Sequence, residues 1–208
     1  MKKVAVIIDD HVLFTDSFSL LLEKTKFFDD IYILNNNYSK LDYYIKNYRI
    51  ELYVFLEYFL KKKLGIHLLK EIKLVNKNAK IIVVSSVSQP AAIHSIMLYQ
   101  PDGFISKISG YDSLLNCLDA LKNGKEFYCP VISEVINTYN SYTDQILTER
   151  EIEVLNYFSK GFTIEETAKK LVLSKHTIVA HRRNMLKKTK MHSIIELLAY
   201  ARSNGLIS

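Results

Sequence analysis

Two groups of residues in this chain have types and spacing that suit chemistry. The first is contiguous. Leu173 to Lys190 reads LSKHTIVAHRRNMLKKTK and carries Lys175, Arg182, Arg183, Lys187, Lys188 and Lys190 without an acid. Lysine and arginine neutralise phosphates, and Arg, Asn and His also reach base edges. Ser174 is a good N-cap. At helical spacing Leu173, Ile178 and Met185 turn inward, and His181, Arg182, Arg183, Asn184 and Lys187 take exposed or flanking positions. Taken alone, the stretch is equally a solvated basic surface helix. The second group is dispersed: Asp9, Asp10, Glu57, Ser85 and Lys107, each at or just past the end of a short apolar run. Carboxylates, a hydroxyl and an ammonium converging at one edge make a chemical constellation.

The elements that must position these residues are legible. Residues 4–8, 31–34, 52–56, 81–84 and 103–105 are apolar runs of the kind buried parallel strands have. Helical stretches separate them at 12–24, 41–47, 64–74 and 91–98, and a last one runs from Tyr111 to Asn123 with Gly124 just past its end. Five alternations predict a doubly wound α/β sheet with its site at the carboxyl ends of the strands. Before the basic stretch, Gly161 ends one helix. Thr163 with Glu166 forms a capping box that starts the next. Ile164, Ala168 and Leu171 give that helix a buried side, and Val172-Leu173-Ser174 turns tightly into the basic helix. Helix, short turn, basic helix is the helix-turn-helix pattern.

Leu147-Thr148-Glu149-Arg150-Glu151-Ile152-Glu153-Val154-Leu155, Gly161, Ala168, Leu173-Ser174, Thr177-Ile178 and His181-Arg182-Arg183-Asn184 resemble the LuxR-type DNA-binding domain, over roughly Gln145 to Ile207. The resemblance implies a four-helix bundle whose DNA-binding residues are Lys175, His176, Thr177, Val179, His181, Arg182, Arg183, Lys187 and Lys188. Arg183 and Lys187 lead among them. Val179 stands where the family usually has a lysine that touches DNA, so either a phosphate contact is lost or preference shifts towards a thymine methyl. The part from Lys3 to Lys125 resembles a response-regulator receiver domain, and the whole chain resembles the NarL/FixJ-type response regulators. In that family an acidic pair helps bind Mg²⁺, here Asp9 and Asp10, with Asp10 the candidate metal ligand. Ser85 and Lys107 match the residues that contact a phosphoryl group, and Phe104 matches the aromatic that rotates between states.

The phosphoacceptor position, registered by Gly65 eight residues on, holds Glu57 instead of Asp. One extra methylene displaces the carboxylate, and in-line phosphoryl transfer depends on close placement. The following loop is Tyr58-Phe59-Leu60-Lys61-Lys62-Lys63 in place of a Met-Pro pair. Its lysines either neutralise the acidic pocket or form a solvated loop. Either Glu57 pairs with Lys107 and mimics part of a phosphate's charge, with no cofactor required, or the pocket is a relic and the receiver serves as a dimerisation module. The alternatives are a phosphorylation-controlled regulator using Mg²⁺, a sensor kinase and another acceptor, and a protein-interaction factor that binds DNA weakly.

Composition agrees with this reading. The net charge is +6, with 17 basic and 15 acidic residues in 1–140 and 11 and 7 in 141–208, so the excess is denser at the C-terminal end. Cys117 and Cys129 lack metal or disulfide spacing and are expected as reduced thiols. The first apolar run stops at Asp9, too short for a leader or membrane span. No nucleophile–base pair or nucleotide-binding glycine loop marks an enzyme. The expected organisation is an α/β receiver at 1–126, a partly helical linker at 127–144 and an all-α domain at 145–208. In the linker a helix from Val131 to Asn140 precedes the polar stretch 140–144. In the last helix, Ile194 to Ser203 capped by Ser193, Ile195, Leu198 and Ala199 either meet a partner's copy or pack on their own domain. The expected product is a cytoplasmic, homodimeric, double-stranded-DNA-binding transcription regulator.

Overall fold

The computed structural model describes residues 1–35, 40–60, 65–139 and 147–207. The lysines at 61–63 and the polar stretch 140–144 lie outside the described residues. The chain divides into two compact units, residues 1–87 with 99–134 and residues 88–98 with 135–208.

In the first unit, β1 (Lys2–Ile8), α1 (Val12–Thr25), β2 (Asp30–Ile33), α2 (Leu41–Ile45), β3 (Ile50–Leu56), α3 (Gly65–Val75) and β4 (Lys80–Ser85) alternate. The next helix, α4 (Pro90–Met97), falls in the second unit. β5 (Gly103–Ser106) and α5 (Tyr111–Lys122) follow. All pairing is parallel, in the order β2-β1-β3-β4-β5. The sheet gains a strand that hydropathy did not reveal: β6 (Phe127–Tyr128) pairs parallel with β5, making six strands. Two residues are too few to show a periodicity. They precede α6 (Pro130–Tyr139).

The apolar runs are continuous because both faces of the central strands are covered: Val4 to Ile8 and Leu52 to Leu56 are all buried. Ala5, Ile7, Phe18, Phe55, Ile82 and Leu118 belong to one core, where the Phe18 and Phe55 rings meet edge to face at 5.3 Å. Each fully buried aliphatic side chain contributes about 1.5–3 kcal/mol of transfer free energy. Cys117 and Cys129 are buried free thiols, and burial pushes Cys117 up to about 12.

Register then builds the site. Ile8 lies opposite Leu56, Leu56 opposite Val83, and Ser85 opposite Ser106. The ladder runs on past the strand ends, with the Glu57 N–H donating to the Ile8 carbonyl at 2.9 Å and that of Lys107 to the Ser85 carbonyl at 2.9 Å. Asp9, Glu57, Ser85 and Lys107 therefore emerge at one sheet edge. Gly65 holds the loop after β3: its N–H donates to the Tyr58 carbonyl at 2.6 Å, and a Cβ there would lie 2.0 Å from the Glu57 carbonyl oxygen.

The second unit carries α7 (Glu149–Ser159), α8 (Ile164–Leu171), α9 (Lys175–Thr189) and α10 (Ile194–Ser203). Capping boxes start α7 at Thr148 and Glu151 and α8 at Thr163 and Glu166, and Ser174 and Ser193 cap α9 and α10. Ile152, Leu155, Ala168, Ile178, Met185 and Leu197 are buried in a shared core. Val172 ends α8 in the left-handed region at φ 53°, and the Leu173 N–H closes onto the Ala168 carbonyl at 2.9 Å. On α10, Leu197 and Ala201 face the core, Leu198 is half-buried, and Ile195 and Ala199 are exposed. Among the described residues no helix is long and apolar enough to cross a membrane.

Candidate functional site

Glu57 sits at the end of β3 and is 4% exposed. Its Oε1 accepts from the Ser85 hydroxyl, from the Tyr58 N–H at 2.6 Å and from the Phe59 N–H at 3.1 Å. Its Oε2 pairs with Lys107 Nζ at 2.6 Å. The same ammonium pairs with Asp9 Oδ2 at 2.5 Å and lies 4.1 Å from the centre of the Phe14 ring. Asp9 Oδ1 accepts from the His11 N–H at 2.8 Å and meets His11 Nδ1 at 2.9 Å. Asp10 is buried beside this cluster in sequence, and Phe104 is fully buried in β5.

The pocket thus brings together Asp9, Glu57, Ser85 and Lys107. The sequence reading missed Phe14 and the His11 contact. His11 was visible as the residue after the acidic pair. Phe14 had no signal beyond a place on the inner face of α1, since a ring over an ammonium is a tertiary fact. Chemically, the hydroxyl and the ammonium suited to an anionic ligand are already engaged by Glu57 itself. Mg²⁺, which the family resemblance implies, would have to compete with an ammonium in this arrangement. Ligating atoms of Asp9, His11 and Glu57 do fall within 4.8 Å of one another. But Lys107 bridges Asp9 Oδ2 and Glu57 Oε2, so the pocket's counter-cation is an ammonium. The remaining oxygens of those two carboxylates are bonded to His11, Ser85 and backbone N–H groups.

The basic helix α9 presents one exposed stripe. Lys175, His176, Val179, Arg183, Asn184 and Lys187 are exposed, Thr177, His181 and Arg182 half-buried, and Ile178 and Met185 face the core. Ser174 Oγ accepts from the Thr177 N–H at 3.1 Å and fixes the start of the helix. Two basic residues have acid partners. Lys175 pairs with Glu165 on α8 across the turn. Lys188 is turned away from the stripe, and its ammonium lies 2.7 Å from buried Glu151. Residue type did not distinguish Lys188 from Lys187. Glu151 was not singled out from the sequence; its capping box with Thr148 is a signal that could have marked it, whereas its pairing with Lys188 has none.

A doubly wound domain that gathers acids, a hydroxyl and a lysine at its strand ends, followed by a helix-turn-helix unit, defines the response-regulator class. Residues 145–201 match the family model GerE, "Bacterial regulatory proteins, luxR family". The Fimbriae Z protein of Salmonella typhimurium is 30% identical over 212 residues, covering all of both chains. The transcriptional regulatory protein RcsB of Escherichia coli K12 is 29% identical over 95% of this chain and 93% of its own. A solved RcsB–DNA complex superposes with a TM-score of 0.63 at 25% identity, covering 98% of this chain and 99% of that one. The chain belongs to the NarL/FixJ-type response regulators, which join a receiver domain to a LuxR-type helix-turn-helix domain.

Proposed function

We propose that this chain is a cytoplasmic, sequence-specific DNA-binding transcription regulator that works without phosphorylation of an aspartate. In this reading the receiver is 1–126, the linker 127–144 and the DNA-binding domain 145–208. Glu57 holds the phosphoacceptor position, and its own carboxylate occupies the donors that would otherwise hold a phosphoryl group. The observation that carries this is the double engagement of Glu57, one oxygen on Ser85 and the other on Lys107 at 2.6 Å. A carboxylate has less charge and fewer acceptor oxygens than an aspartyl phosphate. It therefore biases the receiver partly, short of the roughly 5.5 kcal/mol that a complete switch requires.

Lys175, His176, Thr177, Val179, His181, Arg182, Arg183 and Lys187 form the DNA-facing set of α9, and Lys188 joins it only by leaving Glu151. The solved complex of the relative RcsB contains DNA, which supports this assignment. The chain acts as a homodimer on a two-fold related site, with exposed Ile195 on α10 available to a second copy. No sensor kinase and no Mg²⁺ are needed for this mode.

The test is to incubate the full-length chain with acetyl phosphate and Mg²⁺, then record intact mass and DNA affinity. Unchanged mass and unchanged affinity are expected. A gain of one phosphoryl group with tighter DNA binding would overturn the proposal in favour of a conventional phosphorylated regulator.

A further inference from the structure

Among the six exposed residues of α9 from Lys175 to Lys187, five are Lys, His, Arg, Asn and Lys, and the sixth is Val179, 48% exposed. Val179 lies on the stripe between His176, three residues before it, and Arg183, four residues after, so its two methyl groups sit at the middle of the basic face. Intramolecular packing does not account for it there. The core side of the helix is supplied by Ile178 and Met185, both fully buried, and a β-branched residue is not favoured at an exposed helical position. Its flanking cations suit phosphates and guanine edges. Val179 has neither donor nor acceptor, and in the major groove only thymine offers an apolar group, its C5 methyl.

We infer that Val179 is a specificity-determining residue that reads a thymine methyl in each half-site, with Arg183 and Lys187 anchoring the helix around it. The inference rests on the DNA-binding reading above and deepens it by naming the base. The contact is apolar, so it contributes to sequence preference and little to salt dependence. The flanking cations do the reverse.

The experiment is a uracil scan. A fragment bound by the full-length chain is made with each thymine replaced in turn by deoxyuridine, which removes the methyl and leaves every hydrogen-bonding group in place. Burial of one such carbon is expected to be worth about fourfold in affinity. One thymine per half-site should show that loss with the wild-type chain and lose its sensitivity in Val179→Ala. Val179→Lys should bind all sequences more tightly at low salt, steepen the salt slope by about one and be indifferent to the methyl. Because the position is exposed on a well-capped helix, both variants are expected to fold, and circular dichroism checks this. If wild type and Val179→Ala show the same uracil profile, Val179 does not read a methyl, although the chain still binds DNA. If no fragment is bound specifically, the DNA-binding reading fails and takes this inference with it.

Discussion

Replacing Lys107 with Met is the sharpest perturbation of the acidic pocket. The side chain keeps its length and apolar stem but leaves Asp9 and Glu57, 1% and 4% exposed, without the ammonium that lies 2.5 and 2.6 Å from them. At an effective dielectric constant near 20, each contact is worth about 6 kcal/mol of gross Coulomb energy. Desolvation of the three charges cancels most of that. Measured losses on breaking a buried pair are about 3–5 kcal/mol. The expected net cost is about 4 kcal/mol, or about 15 °C in melting temperature for a unit of this size. Differential scanning fluorimetry of wild type and variant reads it directly. The same reasoning predicts an asymmetric response to Mg²⁺. In the variant the carboxylates lack a cation, so millimolar Mg²⁺ should raise the melting temperature by mass action. In the wild type the ammonium already fills that role and Mg²⁺ should do little. A variant as stable as wild type, or a wild type stabilised by Mg²⁺ as much as the variant, would refute the account of Lys107 as the pocket's cation.

Other expectations follow from the second unit. Arg183→Ala and Lys187→Ala should each weaken DNA binding and lower the salt slope by about one, measured by fluorescence anisotropy at several salt concentrations. Lys188→Met should instead lower the stability of the helix-turn-helix unit by about 2 kcal/mol in urea unfolding, because it strands buried Glu151. Thr163→Ala should cost about 1 kcal/mol through its cap. The Glu166 carboxyl is held below its ordinary 4.5 first by the Thr163 N–H, which alanine keeps, and then by the Thr163 hydroxyl, which it loses. Only the hydroxyl's hold on the carboxylate separates the two chains, present above pH 4.5 and lost as pH falls through the lower folded value. The stability difference between Thr163→Ala and wild type should accordingly shrink in acid. Cys117 and Cys129, both buried, should resist alkylation by iodoacetamide until the chain is unfolded.

Much of this molecule was legible before its structure. The continuous runs at Val4 to Ile8 and Leu52 to Leu56 are of the kind buried parallel strands have, and their alternation with helical stretches pointed to parallel pairing, which brings Asp9, Glu57, Ser85 and Lys107 to one edge. The caps at Thr163, Ser174 and Ser193 were readable because a hydroxyl bonding to the N–H three residues on is a local event. What escaped was what depends on tertiary approach. β6 is a two-residue strand that exists only because β5 is there to pair with it. The inward turn of Lys188 depends on where α7 places Glu151. Val172 was read as part of a tight turn, but its positive φ on a β-branched residue runs against local preference and is set by the closure of α8 onto the turn. The most consequential detail, that Glu57 divides its two oxygens between Ser85 and Lys107, was half legible: the pairing with Lys107 was expected from the sequence, the bond from the Ser85 hydroxyl was not.

That division is the centre of the account, and DNA affinity of the untreated, full-length chain tests it most directly. Wild type and Glu57→Gln should be compared at one fixed salt concentration, without phosphodonor, after circular dichroism has shown both to be folded. Gln keeps the shape and the Ser85 contact but removes the charge that holds Lys107. The account predicts that Glu57→Gln binds about tenfold more weakly, the effect of removing roughly 1.4 kcal/mol of bias towards the DNA-binding state. Equal or tighter binding by Glu57→Gln would contradict it, and the acidic pocket would then have no part in controlling the recognition helix.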